Sequence, residues 1–259
     1  MVPLIGMTFF LNAVIAMGIS YWKNEFQFVP IFDMRFPSLI EAYKNTPVIY
    51  FILFVLCLIF LSFAIMAYVG FDPLVPIFTL HICGQLDILS YRISKVFKEC
   101  TEEQQINKKL KEINKKLQEL YLFTFDINSI FKYWFEYNLK TATFLIPLSL
   151  FQVANDLKKK QLNLQFLSFF MSACVYFFIP CYYSNILLER SEHLRQAIYS
   201  SDWEKYPHTQ ARKTITFMLV RKSVPLVLTT IFYPLCLDTY AEMCRQSYTI
   251  FNLMNAACT

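Results

Sequence analysis

Little in this chain is suited to catalysis. Glycine occurs 4 times and histidine 3 times in 259 residues. There is no GxSxG elbow, no HExxH helix and no P-loop, the arrangements that place a nucleophile, a zinc ion or a nucleotide phosphate. His81, His193 and His208 are far apart, and none stands at metal-ligand spacing from another. His81, close to Cys83, reads as a helix residue with a satisfied hydrogen bond. The sequence therefore predicts a chain that is not an enzyme and takes no cofactor. Cysteine is present 8 times, but no CxxC pair occurs. Scattered residues such as Cys57, Cys83, Cys174 and Cys236 read as small apolar packing groups, not as a disulfide framework or metal site.

Charge is also missing over long stretches, although the chain carries 24 Lys and Arg against 19 Asp and Glu. No charged residue occurs from Met1 to Trp22, from Asn45 to Phe71, or from Gln161 to Leu188. Each run exceeds the roughly 20 residues that cross the ~30 Å apolar core of a bilayer. Hydrophobic residues make up 56% of the chain and Phe alone contributes 27, more than a soluble domain carries. Met1 opens directly into the first run. That run has no basic start and ends Ile19-Ser20-Tyr21-Trp22, so it reads as a span and not as a cleaved leader.

Two shorter gaps complete the set. Thr141 to Asn155 is uncharged and follows the aromatic-rich "IFKYWFEYNLK", which reads as a helix rising from water into lipid. Within it Lys132, Glu136 and Lys140 are spaced to pair along one helix face. Ser223 to Leu237 is the last gap. Asp238, Glu242 and Arg245 follow, and then the uncharged Gln246 to Thr259. We read this end as one long helix with a polar middle.

The prediction is an all-α polytopic membrane protein with five transmembrane helices and cytoplasmic helical extensions that form an anchor bundle. Residues 1–89 hold the first two spans and an outside loop, 90–135 a cytoplasmic anchor segment, and 136–187 the third and fourth spans. Residues 188–222 form a second anchor segment and 223–259 a pore-type helix. Orientation follows from Lys and Arg in the connections. Residues 90–140 hold ten and 188–222 hold seven, whereas 23–46 and 155–163 hold three each. The basic connections belong in the cytoplasm, with the N-terminus inside and the C-terminus outside. Five crossings from an inside N-terminus argue against a seven-helix G-protein receptor.

Three segments carry more specific information. In "TEEQQINKKLKEINKKLQELYLF", Ile106, Leu110, Ile113, Leu117 and Leu120 follow 4-3-4-3 spacing, a coiled-coil-like seam that needs neighbouring helices to cover it. Its acidic residues interleave with its lysines, so it is not a nucleic-acid surface. "YYSNILLERSEHLRQAIYSSDWEKYP" places Ile186, Leu187, Leu194, Ala197 and Ile198 on one stripe, as the cytoplasmic continuation of the fourth span, with Trp203 anchoring the turn that follows. Asp238, Glu242 and Arg245 share one face at membrane depth, where ionisable groups usually face a protein interior or a water path. "QSYTIFNLMNAACT" then alternates wettable and apolar residues. That pattern suits a pore lining gated by dewetting, and equally an interfacial anchor for the last helix.

These segments together resemble the insect odorant receptor family. Ser191, Leu194, Ala197, Tyr199 and Trp203 match a family pattern, as do Pro225 and the ending Arg245, Ser247, Tyr248, Phe251. "YVGFDPLVPIFTLHICGQLDILSYRI" is similar to the family's fourth helix. The resemblance implies a seven-helix, N-inside subunit of a ligand-gated cation channel, located in the plasma membrane of olfactory neuron dendrites. The family's subunits assemble as hetero-tetramers with a shared olfactory co-receptor and bind volatile odorants. Matched on the family, this chain begins at the third helix, and the first two are expected to be missing.

By the same resemblance, the odorant pocket maps onto Met17, Tyr21, Tyr50, Phe54, Phe166, Phe169 and Phe170, apolar walls suited to volatile ligands. The pore and gate map onto Tyr248, Leu253, Ala256 and Ala257, although a bulkier apolar residue is expected where Ala257 stands. Thr239-Tyr240 and Gln246 mimic the ending of the sister family of gustatory receptors, but Ser247 replaces its Phe. Gustatory reception, a non-functional fragment and a multi-span scaffold or transporter are the competing readings. A transporter would show internal repeats, and the sequence has none.

Overall fold

The computed structural model describes residues 14, 15, 17, 18, 22, 46–100, 102–158, 164–206, 209–221 and 225–257. Helix α1 is Pro47–Phe71, α2 Leu74–Glu99, α3 Glu103–Lys158, α4 Leu164–Tyr199, α5 Thr209–Arg221 and α6 Leu237–Ala257. A single 3-10 turn, Trp203–Lys205, separates α4 from α5. The expectation of an all-α membrane fold holds.

The helices start and stop where the local chemistry requires. Pro47 opens α1 at a position where its missing N–H is no loss. Pro73 ends α1, because the residue before a proline is forced out of the helical region. The apolar stretch on either side of Asp72 is thus two helices joined by Asp72–Pro73. The 36 residues of α4 run without interruption through the stretch from Tyr182 to Tyr199, so the fourth span does continue as expected. The turn after it needs a left-handed residue. Asp202 supplies it at φ 61°, a conformation that Asp tolerates better than most. The hydrogen bond from Lys205 nearby holds the Asp202 carboxyl below its usual range.

The chain divides into two compact units, Met1–Leu74 with Gln152–Ser172, and Val75–Phe151 with Ala173–Thr259. In the first unit α1 is apolar on every side, and Phe51, Phe60 and Phe63 are 66%, 70% and 70% exposed. Such a surface is stable in hydrocarbon and not in water. By length and composition, 47–99 and 166–205 are able to cross a membrane.

The second unit has a conventional core. Ile106, Leu110, Ile113, Leu117 and Leu120 are all buried, so the seam in α3 is covered. It continues through Thr124, Ile127, Phe131 and Phe135. Ile82, Leu86, Leu89, Ile93 and Val96 of α2 are buried on a similar stripe, as are Leu187, Leu194 and Ile198 of α4 and Ala211, Ile215 and Met218 of α5. Phe123 meets the Phe78 ring edge-on at 6.0 Å, Arg190 pairs with Asp87 at 3.5 Å, and the Arg221 guanidinium lies 5.3 Å over Tyr121. Tyr206 donates its hydroxyl to the Phe97 carbonyl.

The expectation of one long final helix fails. The end of the chain is not a single helix. Residues 225–236 are non-helical, and the last helix begins only at Leu237. Pro225 and Pro234 each remove a helical donor, and the segment folds back on itself with Leu235 N–H donating to the Leu228 carbonyl at 2.8 Å. Leu226 and Leu228 are buried, so their amides need acceptors away from water. Ser191 Oγ accepts from Leu226 at 3.1 Å and Ser184 Oγ from Leu228 at 3.0 Å. Seven residues apart on α4, these serines face the same way. Asn128 clamps Thr229 from α3, accepting its N–H at 2.8 Å and donating to its hydroxyl at 2.7 Å.

Ser191→Ala leaves a buried amide unpaired and should cost about 1–3 kcal/mol. Thermal unfolding of the purified chain measures it, with the exposed Ser200→Ala as the control. Equal midpoints for the two variants would mean that the serine does not hold the segment.

Candidate functional site

The expected ligand residues fall in the first unit. The Tyr50 hydroxyl donates to Met17 Sδ at 3.1 Å, and the Tyr50 and Phe54 rings lie 5.9 Å apart. Residues 17, 50 and 54 are thus brought together across 33 positions of sequence. Phe166, Phe169 and Phe170 are spaced to share one face of α4. Phe166 and Phe169 are exposed and Phe170 is half-buried. Tyr21 lies outside the described residues.

The expected pore residues fall in the second unit, on α6. Tyr248 stacks on Phe251 with ring centroids 6.3 Å apart. Tyr248, Leu253, Ala256 and Ala257 are exposed. The opposite side of α6 is fastened to two neighbours. The Tyr240 ring meets Phe178 edge-on at 5.5 Å, and its hydroxyl donates to the Cys174 carbonyl at 3.2 Å. This packing gives Tyr240 a structural role.

Ser247 makes the second attachment, for a reason that its own segment does not reveal. Pro147 lies inside α3 and has no N–H, so the carbonyl four residues before it, on Thr143, loses its helical donor. Ser247 Oγ donates to that carbonyl at 3.4 Å. A proline inside a long apolar helix is the available signal, but its partner is 104 residues away.

Asp238, Glu242 and Arg245 lie along one cleft. Its volume is about 930 Å³, and Glu136, Lys140 and Thr143 of α3 also line it. Glu242 pairs with Arg245, and Gln246 Nε2 lies 3.4 Å from Glu242 Oε1. Across the cleft Glu136 Oε1 pairs with Lys140 at 3.0 Å, the i, i+4 contact that the spacing predicts. Lys132 instead turns over the Tyr133 ring at 5.1 Å. Helical spacing offers Glu136 only as a partner for lysines, yet it is the most enclosed charged group at this site, 4% exposed.

Comparison with known proteins agrees with this architecture. The solved structure of the insect olfactory receptor OR5 from Machilis hrabei in complex with eugenol matches with a TM-score of 0.75 at 17% identity. The match covers 99% of this chain and 64% of that one, and at this identity it speaks for the fold. A Drosophila melanogaster protein named putative odorant receptor 85d is 29% identical over 130 residues, 50% of this chain and 31% of that protein. The sequence model described as "7tm Odorant receptor" matches residues 2–248. On that match, which runs over nearly its whole length, the chain belongs to the 7tm odorant receptor family.

Proposed function

We propose that this chain is an odorant receptor subunit. It binds volatile apolar molecules in the outer half of the membrane and, with a shared olfactory co-receptor in a hetero-tetramer, opens a cation channel. The family match over residues 2–248 carries the reading. The gathering of Met17, Tyr50 and Phe54 supports the ligand site, and the exposed face of α6 with Tyr248, Leu253, Ala256 and Ala257 supports the pore. The chain works by binding and gating, without catalysis. It resides in the plasma membrane of an olfactory neuron dendrite, with its N-terminus in the cytoplasm and its C-terminus outside.

The test is expression with the co-receptor, recording cation current during a broad panel of volatiles. Current that requires this chain and depends on the odorant is the expected result. Delivery of both chains to the cell surface without any odorant-dependent current would overturn the reading. In the same preparation Leu253→Ser should raise the odorant-independent current by about threefold or more, because a hydroxyl wets an apolar constriction. An unchanged basal current would remove Leu253 from the gate.

A further inference from the structure

Two of the uncharged runs end at one place in the fold. Residues 73–86 hold no Asp, Glu, Lys or Arg, and Asp87 follows. Gln161 to Leu188 hold none, and Glu189 and Arg190 follow. Asp87 and Arg190 meet at 3.5 Å, with 43% and 49% of their side chains exposed. They lie in a polar groove of about 550 Å³ between α2 and α4, a size within the ~300–1,000 Å³ of small-molecule sites. Ser90, Tyr91 and Ser94 line it from α2, and His193, Gln196, Ala197 and Ser200 from α4. Their spacing puts each set on one face of its helix. Toward the membrane, a Cβ added at Gly84 would meet nothing within 4 Å, so the face of α2 above Asp87 is open.

Other charges of this region already have partners. Lys95 pairs with Glu99 at 3.4 Å and lies 4.5 Å over the Tyr91 ring, and Arg195 pairs with Glu192 at 2.9 Å. Arg190 reaches Asp87 only through Nη1, at the long limit of a hydrogen bond. The rest of its guanidinium fork is left for a ligand, and a half-exposed pair of this kind is weak enough to be opened by one. The groove thus sets anion donors, Arg190 and the exposed His193, beside the Asp87 carboxylate. That arrangement matches a zwitterion, since Asp87 repels a purely anionic group. We propose that the groove holds the headgroup of a membrane phospholipid with a primary ammonium, of the phosphatidylethanolamine class. Arg190 and His193 take the phosphate, whose oxygens fit a planar guanidinium, and Asp87 takes the ammonium. The acyl chains remain in the bilayer. The inference needs only the membrane fold and does not depend on odorant reception.

The test titrates lipids into the purified chain in detergent and reads bound lipid by native mass spectrometry. Phosphatidylethanolamine, phosphatidylcholine and phosphatidylglycerol with identical acyl chains are the probes. The choline headgroup keeps the phosphate but has no N–H to donate, and the glycerol headgroup has no ammonium. Phosphatidylethanolamine should therefore bind about tenfold more tightly than either, the scale of one hydrogen bond to a charged group. Asp87→Asn should remove that preference. Arg190→Ala should weaken all three lipids about tenfold, because each carries the phosphate. Arg195→Ala, outside the groove, should change nothing. An Asp87–Arg190 pair with a structural role alone predicts no change in headgroup preference.

Helical circular dichroism shows whether each variant folds. If Arg190→Ala does not, the wild-type preference and its loss in Asp87→Asn still decide the matter. Soluble phosphoethanolamine is a further arm and should bind at least about tenfold more weakly than the lipid, because it lacks the apolar chains. Equal affinity would make the occupant a free phosphoester and overturn the lipid assignment. Wild-type affinities within about twofold for the three lipids would overturn the proposal, since a lost charged hydrogen bond has a larger effect. A preference that survives Asp87→Asn would do the same.

Discussion

Leu194→Ala is expected to destabilise the chain by about 2–5 kcal/mol, the range for truncating a fully buried leucine. Leu194 has no exposed surface and sits on α4 between Ser191 and Ile198, which are 2% and 0% exposed. Its removal opens a cavity at a position with no access to solvent. The core here lies in the part read as cytoplasmic, where water drives apolar burial at roughly 25 cal/mol per Å². Tyr199 is 66% exposed on the same helix, and Tyr199→Ala should stay within about 0.5 kcal/mol. Thermal unfolding in detergent, followed by the helical signal, separates the two. Comparable small shifts for both would show that the second unit does not unfold cooperatively around this stripe.

The second large effect concerns ligand binding, and it depends on the proposed receptor function. Tyr50→Ala removes a ring that meets both Met17 and Phe54. Loss of an aromatic wall should raise the half-maximal odorant concentration about tenfold, ~1.4 kcal/mol of binding energy. Tyr50→Phe keeps the ring and loses only the hydroxyl contact with sulfur, so its response should stay within about threefold of wild type. Phe60, on the same helix and 70% exposed, supplies the control. If Phe60→Ala and Tyr50→Ala shift the response equally, Tyr50 does not line the pocket.

What could be read from the sequence was local in origin. The charge-free runs gave the membrane class because the length of hydrocarbon to be crossed is fixed. The 4-3-4-3 pattern from Ile106 to Leu120 gave a buried seam, and all five residues are buried. The spacing of Glu136 and Lys140 gave their ion pair. That of Asp238, Glu242 and Arg245 gave a shared face. Each of these depends on helical periodicity over a few turns, which a single segment contains.

Tertiary structure decided the rest, because it matched groups far apart in the chain. The apolar run after Ser223 looks like the start of a helix, and its apolar side chains say nothing about where its amides find acceptors. Ser191 and Ser184 supply them from 35 and 44 residues away, and Asn128 from 101. Ser247 finds the carbonyl freed by Pro147 only because α6 packs beside α3. The cleft around Glu136 exists for the same reason. Sequence alone thus determined which surfaces are apolar and which residues share a helix face. Only the packed chain determined which buried polar groups meet, because hydrogen-bond satisfaction is a property of the whole fold.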